Sequence, residues 1–135
     1  ATLTLSDSEL AAQADEPPQR KIRRIPTFTM AVTLLEVVLF AFETVLNEGF
    51  EPLDVNYMVG PSWQTLYACG GLLLTDRQYW RLFTNMFLHA GVAHLLPNAL
   101  VQVWVGSALE LTWGFWGAAC VYALAGLGGG LLSAV

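Results

Sequence analysis

Formal charge is scarce in this 135-residue sequence. Only 13% of its residues are Asp, Glu, Lys or Arg, about half the share in an average soluble domain. There are six basic residues, and Arg20, Lys21, Arg23 and Arg24 sit together just ahead of the first apolar run. That clustering excludes a broad basic face, so no nucleic-acid partner is expected. Histidine is limited to His89 and His94. Zinc on a helix takes two histidines at i and i+4 with further ligands close by. These two stand five apart without a cysteine or carboxylate beside them, so no metal, and no other cofactor, is expected. Cysteine is limited to Cys69, in a loop, and Cys120, inside an apolar run; two thiols at different depths exclude a disulfide framework. A cleaved secretory signal is excluded too, because 26 acidic-then-basic residues precede the first apolar run, the wrong flank for one.

What the sequence has in abundance is apolar length. Residues 27–46, 87–109 and 113–135 run for 20, 23 and 23 residues, and only the first run holds formal charges, Glu36 and Glu43. Roughly 20 apolar residues cross a hydrocarbon core as a helix. A buried helix of a soluble core is the alternative for each run, and it rarely reaches such lengths. The expected fold class is an all-α membrane protein with three transmembrane helices. Its first loop, residues 48–86, is long and carries Trp63, Tyr67, Tyr79 and Trp80, residues typical of the headgroup level. Within it Gly60-Pro61-Ser62 is a turn, with Ser62 as the N-cap of a short helix. Residues 1–26 form a polar tail ending in the basic cluster, and residues 27–135 form the membrane domain. Positive charge marks the inner side, which puts the N-terminus in the cytoplasm, matrix or stroma. A few residues around Glu110, Leu111 and Thr112 join the second and third spans as a tight hairpin. Gly126, Gly128, Gly129 and Gly130 in the third span allow close helix approach. The sequence stops at Val135 while still apolar, as a cut piece would.

Polar residues inside the spans carry the functional signal. Glu36 and Glu43 are seven apart and share a helix face. Acidic residues in a span default to a functional hypothesis; the plainer alternative is a neutral or hydrogen-bonded group inside the bundle. In the second span, residues four apart are rotated by about 40° and residues five apart by about 140°. His94 and Asn98 therefore share a face, while His89 points elsewhere. Two converging N–H donors have the composition of a site that stabilises charge developing on a carbonyl oxygen. Hydrogen bonds that glue neighbouring helices together are the alternative.

The stretch WRLFTNMFLHAGVAHLLPNALVQVWVGSALE, residues 80–110, resembles the signature of rhomboid intramembrane serine proteases. The pair Trp80-Arg81, the ladder His89, His94 and Asn98, and Gly106 and Glu110 all fall in register with it. Upstream, NYMVGPSWQTLYACGG, residues 56–71, is similar to the first luminal loop of the family's eukaryotic secretase-like branch, and LAGLGGGLLSAV is similar to the end of its third helix. The resemblance implies that His94 and Asn98 supply oxyanion donors and that His89 orders the active-site region. It also implies that Trp80 and Arg81 structure the first loop and that Glu110 anchors the inner end of the second helix. The expected location is a eukaryotic organellar inner membrane, mitochondrial or plastid, in preference to Golgi or plasma membrane.

The family's chemistry also needs a serine in a Gly-x-Ser-Gly turn and a histidine base further on. The sequence holds no Gly-x-Ser-Gly and no histidine beyond His94, so no catalytic set is complete within it. Pro97 stands between the two donors, where a kink is expected. Two functions follow. The first, and the one the sequence favours, is a non-catalytic accessory subunit (a pseudoprotease) of a larger membrane complex, its partners lipid and other transmembrane subunits. The second is the N-terminal portion of an active rhomboid protease that cleaves transmembrane substrates.

Overall fold

A computed structural model of the chain describes residues 25–71 and 77–133. The polar tail and the basic cluster at 20–24 lie outside the described residues. Every regular element among the described residues is helical. Helix α1, Thr27–Leu46, is an apolar run free of Gly and Pro, and it starts after Pro26, which offers no side-chain cap. It ends at Asn47, where Glu48 and Gly49 take left-handed backbone angles and the Gly49 N–H bonds the Thr44 carbonyl. Its 20 residues give about 30 Å, the thickness of a hydrocarbon core. Its buried residues are Thr29, Glu36, Phe40 and Glu43. Spacings of 7, 4 and 3 put them on one stripe, while Leu34, Val38, Phe42 and Val45 face outward.

The loop after α1 contains two short helices, α2 (Trp63–Ala68) and α3 (Arg81–Thr84), and a 3₁₀ turn at Asn85–Phe87. Ser62 caps α2 as expected, its hydroxyl accepting from the Thr65 N–H at 3.3 Å. Asn47 ties this cap to the end of α1: its amide oxygen accepts from the Ser62 N–H, the Ser62 hydroxyl and the Thr65 hydroxyl at 2.7–2.9 Å.

The second apolar run departs from expectation at both ends. Helix α4 is Val92–Val101, not a helix from residue 87. Before it, Gly91 packs so closely on residues 58–60 that a Cβ would collide with the Met58 carbonyl, and one on Gly60 with the Ala90 carbonyl. The Val92 and Ala93 N–H groups then bond the Val59 and Met58 carbonyls at 2.9 and 3.1 Å. The loop thus satisfies donors that every helix start leaves open. Pro97 sits within α4, which continues through it as an α-helix and passes into a π-turn at Gln102–Gly106.

Helix α5, Ser107–Ser133, runs straight through Glu110–Thr112, and the expected hairpin lies instead at Gly114 (φ 76°, ψ 175°). That backbone region is essentially glycine's own. After the break the chain returns: Phe115 packs on Phe28 with ring centroids 5.3 Å apart, and further along Gly126 packs against Met86. Two helices, Thr27–Leu46 and the 41-residue stretch Val92–Leu132, are long and apolar enough to cross a membrane.

Candidate active site

The loop that precedes α4 is built around one buried cation. Arg81 is 6% exposed. Its guanidinium donates to the Gln78 side chain at 2.9 Å and to the carbonyls of Tyr67 and Gly71. Its Cζ lies 4.0 Å from the Tyr67 ring centroid and 4.6 Å from that of Trp80. The arginine therefore binds α2 and α3 into one body, and Asn56 joins that body to the helix start. The Asn56 amide donates to the Pro61 and Ala90 carbonyls at 2.8 and 2.9 Å.

On this support stand the two histidines. His89 lies in the non-helical stretch before α4, so the wheel that separates it from His94 does not apply. The two rings meet edge to face with centroids 5.3 Å apart. His89 is 5% exposed, and its Nδ1 has no hydrogen-bond partner among the described residues. Burial pushes its imidazole down to about 4, the neighbouring His94 adding to the effect and the Phe87 backbone opposing it. His94 and Asn98 stand one turn apart on the exposed side of α4, and among the described residues neither side chain holds a hydrogen-bond partner. Both line a cavity of about 420 Å³ with His89 and the glycine-rich end of α5. Asn98 and His89 also line a second cavity of about 530 Å³, which reaches Glu36.

The start of α1 is held by Glu110. One carboxyl oxygen accepts from the Phe28 N–H at 2.9 Å and the Thr27 hydroxyl at 3.4 Å. The other accepts from the Thr29 N–H and hydroxyl at 2.8 and 2.9 Å. Glu110 thereby caps α1 from a different helix and takes the place of the side-chain cap Pro26 cannot give. Gly106 lets the π-turn pass close to Thr29, whose methyl would lie 3.1 Å from an added Cβ.

A rhomboid domain model matches residues 76–135, the stretch that carries His89, His94, Asn98 and Glu110. The RHOMBOID-like protein 2 of Arabidopsis thaliana is 41% identical over 64% of this chain and 29% of its own length. The chain belongs to the rhomboid family. Rhomboids are embedded in membranes, so the apolar helices are those of an integral membrane protein. The Inactive RHOMBOID-like protein 8 of the same plant is 31% identical over 84% of this chain and 38% of its own length. The Rhomboid protease GluP of Bacillus subtilis is 33% identical over 82% of this chain and 20% of its own length. The chain spans about a third of the length of the first relatives it matches. No solved structure matches it.

Glu36 and Glu43 stand on the buried stripe of this rhomboid chain, in different surroundings. Glu36, 2% exposed, accepts from the Gln102 amide at 2.9 Å and the Tyr122 hydroxyl at 2.8 Å. Glu43, 1% exposed, has no hydrogen-bond partner on either oxygen among the described residues, although the His89 backbone N–H faces it. Sequence reasoning missed Gln102, Tyr122, Asn47 and Asn56. Gln102 left a signal, since it lies four residues past Asn98 and so on the same face as both donors. The other three sit where only tertiary contacts give them a role.

Proposed function

We propose that this chain forms the donor half of a rhomboid-type intramembrane serine protease site. The observation that carries the proposal is the pair His94 and Asn98, one turn apart, facing a cavity without a described hydrogen-bond partner on either side chain. Groups that merely glue helices together would be bonded to them. A carbonyl oxygen in the cavity would receive their N–H groups as it gains charge under attack, and fixed donors in a water-poor site stabilise that charge strongly. His89 would back the His94 ring as a neutral, buried imidazole. The attacking serine and its base would come from elsewhere in the full-length polypeptide.

In this reading the Val92–Leu132 stretch crosses the membrane twice, turning at Gly114. The donors then lie near the non-cytoplasmic end, and the Gly114 turn and the N-terminus lie on the inner side. The organelle-membrane expectation stays with this proposal. Further transmembrane helices, from the same polypeptide or from partner subunits, cover the cavity faces.

The test is a fluorophosphonate serine-hydrolase probe applied to the full-length protein in lipid, together with cleavage of a transmembrane peptide. Labelling and cleavage are expected, with kcat falling about a hundredfold for Asn98→Ala, the usual cost of removing one such donor. A folded full-length protein that neither labels nor cleaves would sink the protease reading. It would leave the other reading, a non-catalytic accessory subunit, which the likeness to an inactive relative supports.

A further inference from the structure

The hydrogen bonds on the inner face of α1 join into one column that runs from the Glu110 anchor toward the donor site. Glu110 holds the Thr29 N–H and hydroxyl. The Thr29 carbonyl accepts from the Thr33 hydroxyl at 2.9 Å. Gln102 then spends its two amide hydrogens on two acceptors, the Thr33 hydroxyl at 2.8 Å and the Glu36 carboxyl at 2.9 Å. The other Glu36 oxygen meets the Tyr122 hydroxyl at 2.8 Å, and that hydroxyl also lies 3.3 Å from the Met86 carbonyl. Met86 sits in the 3₁₀ turn that leads into His89.

Glu36 is the branch point. One arm, through Gln102, fixes the rotation of α4 about its own axis, because Gln102 follows Asn98 and His94 at intervals of four on the same face. The π-turn begins at Gln102 itself, and such turns re-aim the side chains around them. The second arm, through Tyr122, fixes the height of the turn that carries His89. We infer that Glu36 is a positioning residue: it aims His94 and Asn98 through Gln102, and seats His89 through Tyr122. The inference rests on the donor-site reading for its catalytic consequence, and on the hydrogen-bond column alone for its structural one.

Two replacements separate a hydrogen-bonding role from bulk or charge. Glu36→Gln keeps an acceptor for Gln102 and gains a donor toward the Tyr122 oxygen, which frees the Tyr122 hydrogen for the Met86 carbonyl. Glu36→Leu removes both arms at similar volume. The experiment follows the imidazole nuclear magnetic resonance signals of His89 and His94 in the full-length protein, assigned by single His→Gln changes, alongside kcat and KM for a transmembrane peptide. Glu36→Leu is expected to move both signals and to lower kcat roughly tenfold to a hundredfold with KM little changed, the scale of a donor misplaced by about 1 Å. Glu36→Gln is expected to leave the signals in place and kcat within about threefold.

If the wild type is folded but inactive and Glu36→Leu still moves both signals while Glu36→Gln does not, the positioning role stands and the protease reading falls. If Glu36→Leu leaves both signals unmoved, or Glu36→Gln disturbs them equally, the inference is overturned whatever the activity. Should Glu36→Leu not fold, Tyr122→Phe carries the test. It deletes only a hydroxyl, must move the His89 signal, and an unmoved signal refutes the second arm.

Discussion

The ring of His89 is buried at 5% exposure against the His94 ring and holds a folded-state pKa of about 4, against about 6.5 in an unfolded chain. The unfolded state therefore binds the extra proton between these values and the folded state does not. The stability due to neutral His89 is complete above pH 6.5 and is lost as pH falls toward 4. Thermal unfolding of the full-length protein is expected to show Tm falling across that window, and His89→Gln to flatten the fall. An equally steep fall in the variant would refute the assignment. A second expectation concerns Glu110, whose carboxyl serves two backbone and two hydroxyl donors. Glu110→Ala strands the Phe28 and Thr29 N–H groups at a helix start, at a cost of about 2 kcal/mol. Glu110→Gln keeps one acceptor and is expected to cost about half as much in equilibrium unfolding. Both residues stood out in the sequence. The histidine pairing did not, because a wheel drawn through residue 89 assumes a helix that begins three residues later.

Among the elements, glycines decide where the helices begin and turn. Gly60 and Gly91 bring the first loop onto the start of α4 so closely that either Cβ would strike backbone, which cannot rotate aside. Gly91→Ala is expected to cost about 3 kcal/mol, the upper range for overpacking, and to free the loop from the helix. Gly114 has open space around it, and its cost is conformational; Gly114→Ala is expected to lose about 1–3 kcal/mol from strain alone. Gly128 and Gly129 are helical with nothing near a Cβ, and alanine there is expected to gain about 0.5–1 kcal/mol each. Unfolding midpoints of the four variants check this order, and a tolerated Gly91→Ala would refute the docked loop. Apolar length revealed α1 in the sequence, and the Gly60-Pro61-Ser62 turn revealed the Ser62 cap, since each rests on local chemistry. The delayed start of α4 and the turn at Gly114 escaped it. The first depends on a loop thirty residues away, and the second on a backbone angle that hydropathy does not encode.

At the scale of the whole molecule, most of the exposed tyrosines and tryptophans gather at two ends, with Trp104 exposed between them. Tyr57, Trp63, Tyr79 and Trp80 are exposed on the loop side, and Trp113 and Trp116 beside the Gly114 turn. Trp and Tyr concentrate at headgroup level, so these groups mark two interfaces with the α1 stripe and the hydrogen-bond column between them. Contacts agree with that order. Glu110 and Phe115 meet the start of α1, whereas Gly126 meets Met86 close to the loop. The 41-residue stretch would measure about 60 Å as a single rod, twice the hydrocarbon thickness. On the proposed double crossing, its fold at Gly114 would return it within one bilayer. Single cysteines placed at Asp54 in the loop and at Thr112 near the turn, with Cys69 and Cys120 replaced by serine, are therefore expected to react with a membrane-impermeant maleimide from opposite faces of sealed vesicles. Labelling of both positions from one face would refute the folded-back arrangement, and with it the placement of His94 and Asn98 at the end away from the Gly114 turn.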